Sequence, residues 1–227
     1  MGKERNVIIK MKSFCVIGLG KFGMSLAQTL AEDGKQVMVI DIDGDKVTAL
    51  ADVVTNAVIG DPTNEKVLRS AGVADYECAI VCMTGNINDN ILLSMMLKEI
   101  GVKKVVSRAI NKGHKKVLSS IGVDMIVFPE QDMGVRLGHM LGRDNVTEYM
   151  EFSGFKLVEA IVPPDWFGKN LIGLELRRKY DVTVVAVTSE DGSVDVSPSP
   201  TRVFCKGDRA TIIGDEHDIE RIVKQMK

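Results

Sequence analysis

Nowhere in the chain do apolar residues run for the roughly 20 positions that a membrane-crossing helix needs, and the leading segment MGKERNVIIKMK lacks the long apolar centre of a signal peptide. Asn6 also stands where the N-myristoylation pattern requires Ser or Thr. These absences predict a cytosolic protein. Charge of one sign is scarce too. With 29 Lys and Arg against 31 Asp and Glu, the formal net charge is −2, so no basic surplus neutralises nucleic-acid phosphates and no nucleic-acid partner is expected. Cys15, Cys78, Cys82 and Cys205 are scattered through apolar segments. In ECAIVCM, a strand-like run, positions four apart lie roughly 13 Å from each other, too far to share one metal. All four cysteines read as buried, reduced thiols packing as small hydrophobes. No Walker A sequence, nucleophile elbow or Cys/His zinc spacing is present.

What is there is an ordinary globular composition, 45% hydrophobic and 26% charged over 227 residues, enough for two domains. From Ser13 to Glu130 short apolar runs alternate with helical patterns, which signals repeated βαβ units and a doubly wound parallel sheet. Strands are expected at SFCVIG, QVMVID, NAVIG, CAIVCM, KVVSRA and MIVF, with helices between them. A helix over 131–141 and a connector lead to a change of pattern. From Phe152 on, the strands KLVEAIVP and TVVAVTS, the helix KNLIGLELRRKY, a hairpin at Asp191-Gly192 and a last strand and helix predict a small α+β domain. The expected divisions are 12–130, 131–151 and 152–227. Met133, Leu137, Met140 and Leu141 share one face of the 131–141 helix, a packing pattern that would suit a second subunit.

Gly18, Gly20 and Gly23 form G-x-G-x-x-G directly after a strand and at the opening of a helix. The first glycine permits the tight turn, the second lets backbone approach phosphate, and the third lets helix and strand pack closely. Phosphate would then rest on amide N–H groups at a helix N-terminus. Asp41 ends the next strand, 18 residues after Gly23, the position of a carboxylate that binds ribose hydroxyls and repels a 2′-phosphate. Lys21 could reach a far phosphate or be a plain surface lysine. Asp61 and Asn64 of GDPTN could contact adenosine or cap the following helix, with Thr63 the best cap. Glu130 follows the last strand at the same edge, where an acid also suits a helix start. An oxidoreductase would need an acid–base group beside this edge. His114, His139 and His217 are the candidates, none with a substrate-clamping arginine, and each reads as an ordinary surface or packing histidine.

The strings VIGLGKFGMSLA, VIDID, AVIGDPTNEKVLRSAGV, INDNILLSMMLKE and KVLSSIGVDMIVFPEQDMG, followed by LIGLELRRKYDVTVVAV and GDRATIIG, resemble the RCK proteins, regulators of K⁺ conductance of the KtrA/TrkA type. The resemblance implies a Rossmann-like lobe, a crossover helix and a small C-terminal domain. It implies a non-enzymatic gating subunit for a membrane K⁺ channel or transporter of the KtrB/TrkH kind, on the inner face of the cell membrane, as dimers assembled into an octameric ring. ATP or ADP, alternatively NAD(H), would lie on Gly18, Gly20, Lys21, Phe22, Gly23, Asp41, Ile42, Asp61 and Asn64. A Mg²⁺ or Na⁺ ion would lie at Glu130. Cyclic di-AMP would meet Leu171, Ile172, Leu174, Arg177 and Pro198. Ktr members usually carry arginine where this chain has Lys21. The alternatives are an NAD-dependent oxidoreductase and a nucleotide-sensing module of another transporter.

Overall fold

The computed structural model describes residues 11–226, so most of the leading segment read for targeting signals lies outside the described residues. Among those described, no helix is long and apolar enough to cross a membrane. The chain divides after Glu130 into two compact units.

In the first unit β1 (Ser13–Ile17), β2 (Gln36–Asp41), β3 (Asn56–Ile59), β4 (Cys78–Val81), β5 (Lys104–Arg108) and β6 (Met125–Val127) alternate with α1 (Lys21–Glu32), α2 (Gly44–Thr48), α3 (Glu65–Ser70), α4 (Ile87–Ile100) and α5 (Lys112–Ser120). The strands pair in parallel in the order β3-β2-β1-β4-β5-β6. Their Val- and Ile-rich runs suit a sheet covered on both faces, because every second residue needs a hydrophobic partner on its own side. Cys15, Ile17, Met38, Ile40, Ala79 and Val81 pack into one layer with α4 and α5. Val16, Val37, Val39 and Ile80 pack into the other with α1 and α2. Strand order reverses between β1 and β4, so the crevice of this doubly wound sheet opens at the carboxyl ends of those two strands. All six strands lie where the apolar runs place them.

The second unit holds α6 (Pro129–Leu141) from its third residue on, then β7 (Val146–Phe152), β8 (Phe155–Ile161), α7 (Leu171–Leu174), α8 (Leu176–Tyr180), β9 (Thr183–Thr188), β10 (Val194–Val196), β11 (Arg209–Gly214) and α9 (Glu216–Gln225). Its sheet is antiparallel in the order β10-β9-β11-β8-β7. Tyr149, Val158, Phe204, Ile212, Ile219 and Ile222 lie in its core. The Asp191-Gly192 turn joins β9 to β10 as expected.

Three expectations need correction. The connector after α6 is the strand β7, hidden in the sequence because a shift of register between Val146 and Glu148 breaks the two-residue alternation. The helix expected over KNLIGLELRRKY is two helices joined at Glu175, whose φ is 51°. Leu174 and Leu176 are both buried. Two residues apart on an unbroken helix they would point about 200° from one another, and the break lets both face the core. On α6, Met140 packs on the second unit's core, while Met133, Leu137 and Leu141 are exposed on this chain, which leaves the expected packing on a second subunit untouched. Cys205 is exposed, in a loop before β11, unlike the other three cysteines, which are buried in the parallel sheet or directly after one of its strands.

Candidate functional site

The carboxyl edge of the parallel sheet is built around the turn from β1 to α1. Gly18 has φ +94°, and a Cβ there would stand 2.7 Å from Met83 Cγ and 3.0 Å from the Met83 nitrogen. A Cβ on Gly23 would lie 2.0 Å from the Gly18 carbonyl oxygen, so only glycine lets α1 sit down on its own turn. Gly20 is different. It caps α1 with an ordinary extended backbone, φ −70° and ψ 179°, and its Cβ would meet nothing within 4 Å. Neither sterics nor dihedral angle within the fold demands a glycine there. No side chain caps α1, so the first amides of a twelve-residue helix are open to an outside acceptor. Lys21 is exposed and Phe22 half-buried in the same turn.

Asp41, 9% exposed, reaches this turn from the end of β2. Its Oδ2 accepts from the Leu19 amide at 2.5 Å and its Oδ1 from the Asp43 amide at 2.9 Å. The carboxylate thus clamps the glycine turn, a role absent from the sequence reading. Each oxygen keeps a lone pair for a ligand hydroxyl. Ile42 beside it is 69% exposed. Asp61 lies past β3, where the Thr63 hydroxyl and then the Thr63 amide hold its carboxyl below the usual carboxylate range. Asn64, not Thr63, caps α3, its side-chain oxygen accepting from the Lys66 amide at 3.1 Å. Thr63 is occupied with Asp61, to which both its amide and its hydroxyl donate.

Beneath the edge lies a polar cluster that periodicity did not single out. Asn90 in α4 is fully buried, and its Nδ2 donates to the carbonyls of Met83 at 2.9 Å and Arg108 at 3.3 Å. With the amide oriented by those two acceptors, Oδ1 accepts from Ser107 Oγ at 2.9 Å and faces His114 Nε2 at 3.1 Å. His114 must therefore carry its proton on Nε2, and Nδ1 is left buried without a partner among the described residues. Burial holds the His114 pKa below its ordinary value. The cluster joins the ends of β4 and β5 to the start of α5. Asn90 and Ser94, polar residues one helical turn apart in the apolar run of α4, were its only trace in the sequence.

Arg108 at the end of β5 is the cation of this edge. Its guanidinium lies 5.6 Å from the centroid of the Phe22 ring, and it is ion-paired with Glu130. The same charge opposes the burial that raises the Cys82 thiol to about 12. Glu130 is therefore engaged, and among the described residues no three His, Cys, Asp or Glu side chains gather to hold a metal ion.

In the second unit, the Ile172 amide donates to the Pro200 carbonyl at 3.3 Å, which brings α7 to the segment that carries Pro198. Leu174 and Pro198 are buried, Leu171 half-buried, and Ile172 and Arg177 exposed, so only part of that set faces outward. His139 stacks on Tyr149 with ring centroids 4.2 Å apart, and His217 borders a hollow of about 570 Å³ with Glu151 and Glu220.

A Cβ at Gly20 meets nothing within 4 Å, so Gly20→Val is expected to keep close to the wild-type unfolding midpoint while weakening adenine-nucleotide binding at least about tenfold, read by calorimetry. His114 supplies a test in pH. Its neutral form is favoured by folding, so between its ordinary value near 6.5 and its lower folded value the unfolded chain binds more protons. Stability is expected to fall as pH drops through that window, and His114→Gln to flatten the slope of unfolding free energy against pH; an unchanged slope would place the proton elsewhere.

The TrkA-N domain family matches residues 14–129 and the TrkA-C domain family residues 157–227. Ktr system potassium uptake protein C of Bacillus subtilis (strain 168) is 42% identical, over 95% of this chain and 97% of its own length. Ktr system potassium uptake protein A of the same organism is 37% identical, over 94% of this chain and 96% of its own. Among solved structures, GsuK bound to ADP aligns with 26% identity and a TM-score of 0.50 over 57% of this chain, which corresponds to 34% of GsuK. The TrkA-N domain of inner membrane protein ybaL from Escherichia coli shares the fold, with a TM-score of 0.51 at 18% identity, over 60% of this chain and 98% of its own length. A glycine turn clamped by an aspartate, on a chain that the two Ktr proteins match over 95% and 94% of its length, belongs to a member of the RCK family of KtrA/TrkA type, with a TrkA-N domain followed by a TrkA-C domain.

Proposed function

We propose that the chain is a regulatory subunit of a potassium uptake system, one that reads an adenine nucleotide at its glycine turn and gates a membrane K⁺ channel or transporter of the KtrB/TrkH kind. The observation that carries this reading is the open space over Gly20 at the uncapped start of α1, with Asp41 beside it. The end-to-end likeness to Ktr potassium uptake proteins supports the partner, and the ADP-bound GsuK structure supports the ligand class. In this reading the amides after Gly20 take phosphate, Asp41 accepts from ribose, and Ile42, Phe22, Asp61 and Asn64 border the nucleoside. ATP or ADP is the proposed signal, with NAD(H) as the alternative.

The nucleotide acts as a signal and not as a reagent, so the protein is not an enzyme in this proposal. Binding would favour one arrangement of paired lobes in an octameric ring at the cytoplasmic face, by no more than the ligand's difference in affinity for the two arrangements. A Mg²⁺ or Na⁺ ion beside Glu130 would need oxygens from phosphate or from a second copy. Cyclic di-AMP at Leu171, Ile172 and Arg177 would be a separate input through the second unit.

Calorimetry with ATP, ADP and NAD(H), together with solution mass and an assay for hydride transfer, tests the reading. Expected are adenine-nucleotide binding, an octameric mass and no oxidation of metabolites; a dimer that transfers hydride would overturn it. At Lys21 a point charge stands in place of a bidentate fork. Lys21→Arg is expected to raise the ATP-over-ADP preference by roughly three- to tenfold, and an unchanged ratio would mean that this side chain does not reach the terminal phosphate.

A further inference from the structure

Beneath the carboxyl edge one side chain ties two strands together. The pairing of β4 with β5 ends where Val81 lies opposite Ser107. Beyond that pair the bridge between the two strands is the amide of Asn90, whose Nδ2 donates to the Met83 and Arg108 carbonyls. Met83 is also the residue on which the glycine turn closes, since a Cβ on Gly18 would stand 3.0 Å from its nitrogen. The orientation of one buried amide therefore sets the floor of the turn.

Two donors hold that amide by its oxygen, Ser107 Oγ at 2.9 Å and His114 Nε2 at 3.1 Å. The hydroxyl is indifferent to pH and the imidazole is not. A second proton on the ring leaves Nε2–H in place but adds an N–H at Nδ1, which is buried without a partner among the described residues. The charged groups on the surrounding elements are Lys112, Lys115 and Lys116 of α5, Lys104 and Arg108 of β5, and Asp89, Lys98 and Glu99 of α4. Among the described residues none of them hydrogen-bonds the ring, and the flanking carboxylates of Asp124 and Glu130 are engaged with Lys98 and Arg108. An imidazolium in this place is desolvated and unpaired. His114 is also the third residue of α5, where the helix dipole disfavours a cation and where a helix end opens at low cost. A charged ring is relieved by leaving.

Resting on the nucleotide reading above, we infer that Asn90 is a positioning residue for the glycine turn and His114 its proton-released latch, so that acid weakens nucleotide binding from beneath the site. With the ring neutral, two donors fix the Asn90 amide, and Met83 and Arg108 are held at one spacing under Gly18. With the ring charged and gone, Oδ1 keeps only Ser107, the amide is free to turn, and the ends of β4 and β5 lose their bridge. The latch is complete above a pH of about 6.5 and weakens progressively as pH falls toward the lower value of the folded state.

The test is calorimetric titration with ADP at about pH 7.5 and about pH 5 on the wild-type chain, His114→Gln and Ser107→Ala, with circular dichroism confirming the fold at each pH. Protonation of the ligand is common to all three chains and cancels in the comparison. Gln offers an N–H in place of Nε2–H and takes up no proton. The ratio of the acid to the neutral dissociation constant is expected to be roughly three- to tenfold larger in the wild type than in His114→Gln. Ser107→Ala leaves His114 as the sole donor to Oδ1 and is expected to widen the wild-type ratio by a further two- to threefold or so. A merely structural histidine would move both pH values alike, so equal ratios in the wild type and His114→Gln overturn the inference, as does an unwidened ratio in Ser107→Ala. Should His114→Gln fail to fold, Ser107→Ala still decides, together with the imidazole of the wild-type chain followed by nitrogen NMR. By reciprocity ADP must lower the His114 pKa, and a pKa that saturating ADP leaves in place overturns the latch. A wild-type chain that binds no ADP at neutral pH overturns the nucleotide reading and this inference together; binding with equal ratios overturns this inference alone.

Discussion

Two backbones touch where Gly23 rides over the carbonyl of Gly18, and everything at the carboxyl edge is positioned from that contact. Any Cβ on Gly23 would overlap the carbonyl oxygen. With the contact made, α1 points its free amides across the crevice between β1 and β4, and the Leu19 amide turns toward Asp41. Asp41 is then drawn under the turn instead of standing out in solvent. A carboxylate this buried is tolerable because amide donors meet both of its oxygens.

The fold was legible because the first unit's information is carried by short range order. Val- and Ile-rich runs, each closed by a glycine, an acid or a turn, leave few alternatives to a parallel sheet with helical crossovers. The glycine spacing and Asp41 pointed to the same turn, where the two meet, for the same reason. Where reading failed, a single residue broke a period: the register shift before Glu148 concealed β7, and the left-handed Glu175 split one helical pattern into two helices. Thr63 and Asn64 are both good cap residues, and only the geometry of Asp61 separated them.

Arg108, Asn90, Ser107 and His114 were illegible for another reason. They are drawn from three elements, and their relation exists only after β4 and β5 pair. Each looks unremarkable in its own segment: Arg108 closes an apolar strand, and His114 sits in a run of lysines. Three-dimensional convergence turns a surface-like histidine into a group of fixed tautomer, and a strand-end arginine into the charge beside the glycine turn. Linear spacing finds a backbone cradle well and a side-chain constellation poorly, since the cradle is local and the constellation is not.

The strand order also bears on how the protein is made. β1 lies near the middle of its sheet, with β2 close by in sequence on one side and β4 on the other, where Ile17 lies opposite Val81. Closing a loop of that length comes late in folding, because its entropy must be offset by contacts that do not yet exist. Gly18 packs on Met83, just beyond β4. A chain emerging from the ribosome thus carries its glycine motif long before it has a glycine turn, and during that interval the strand that leads into the turn has one edge uncovered.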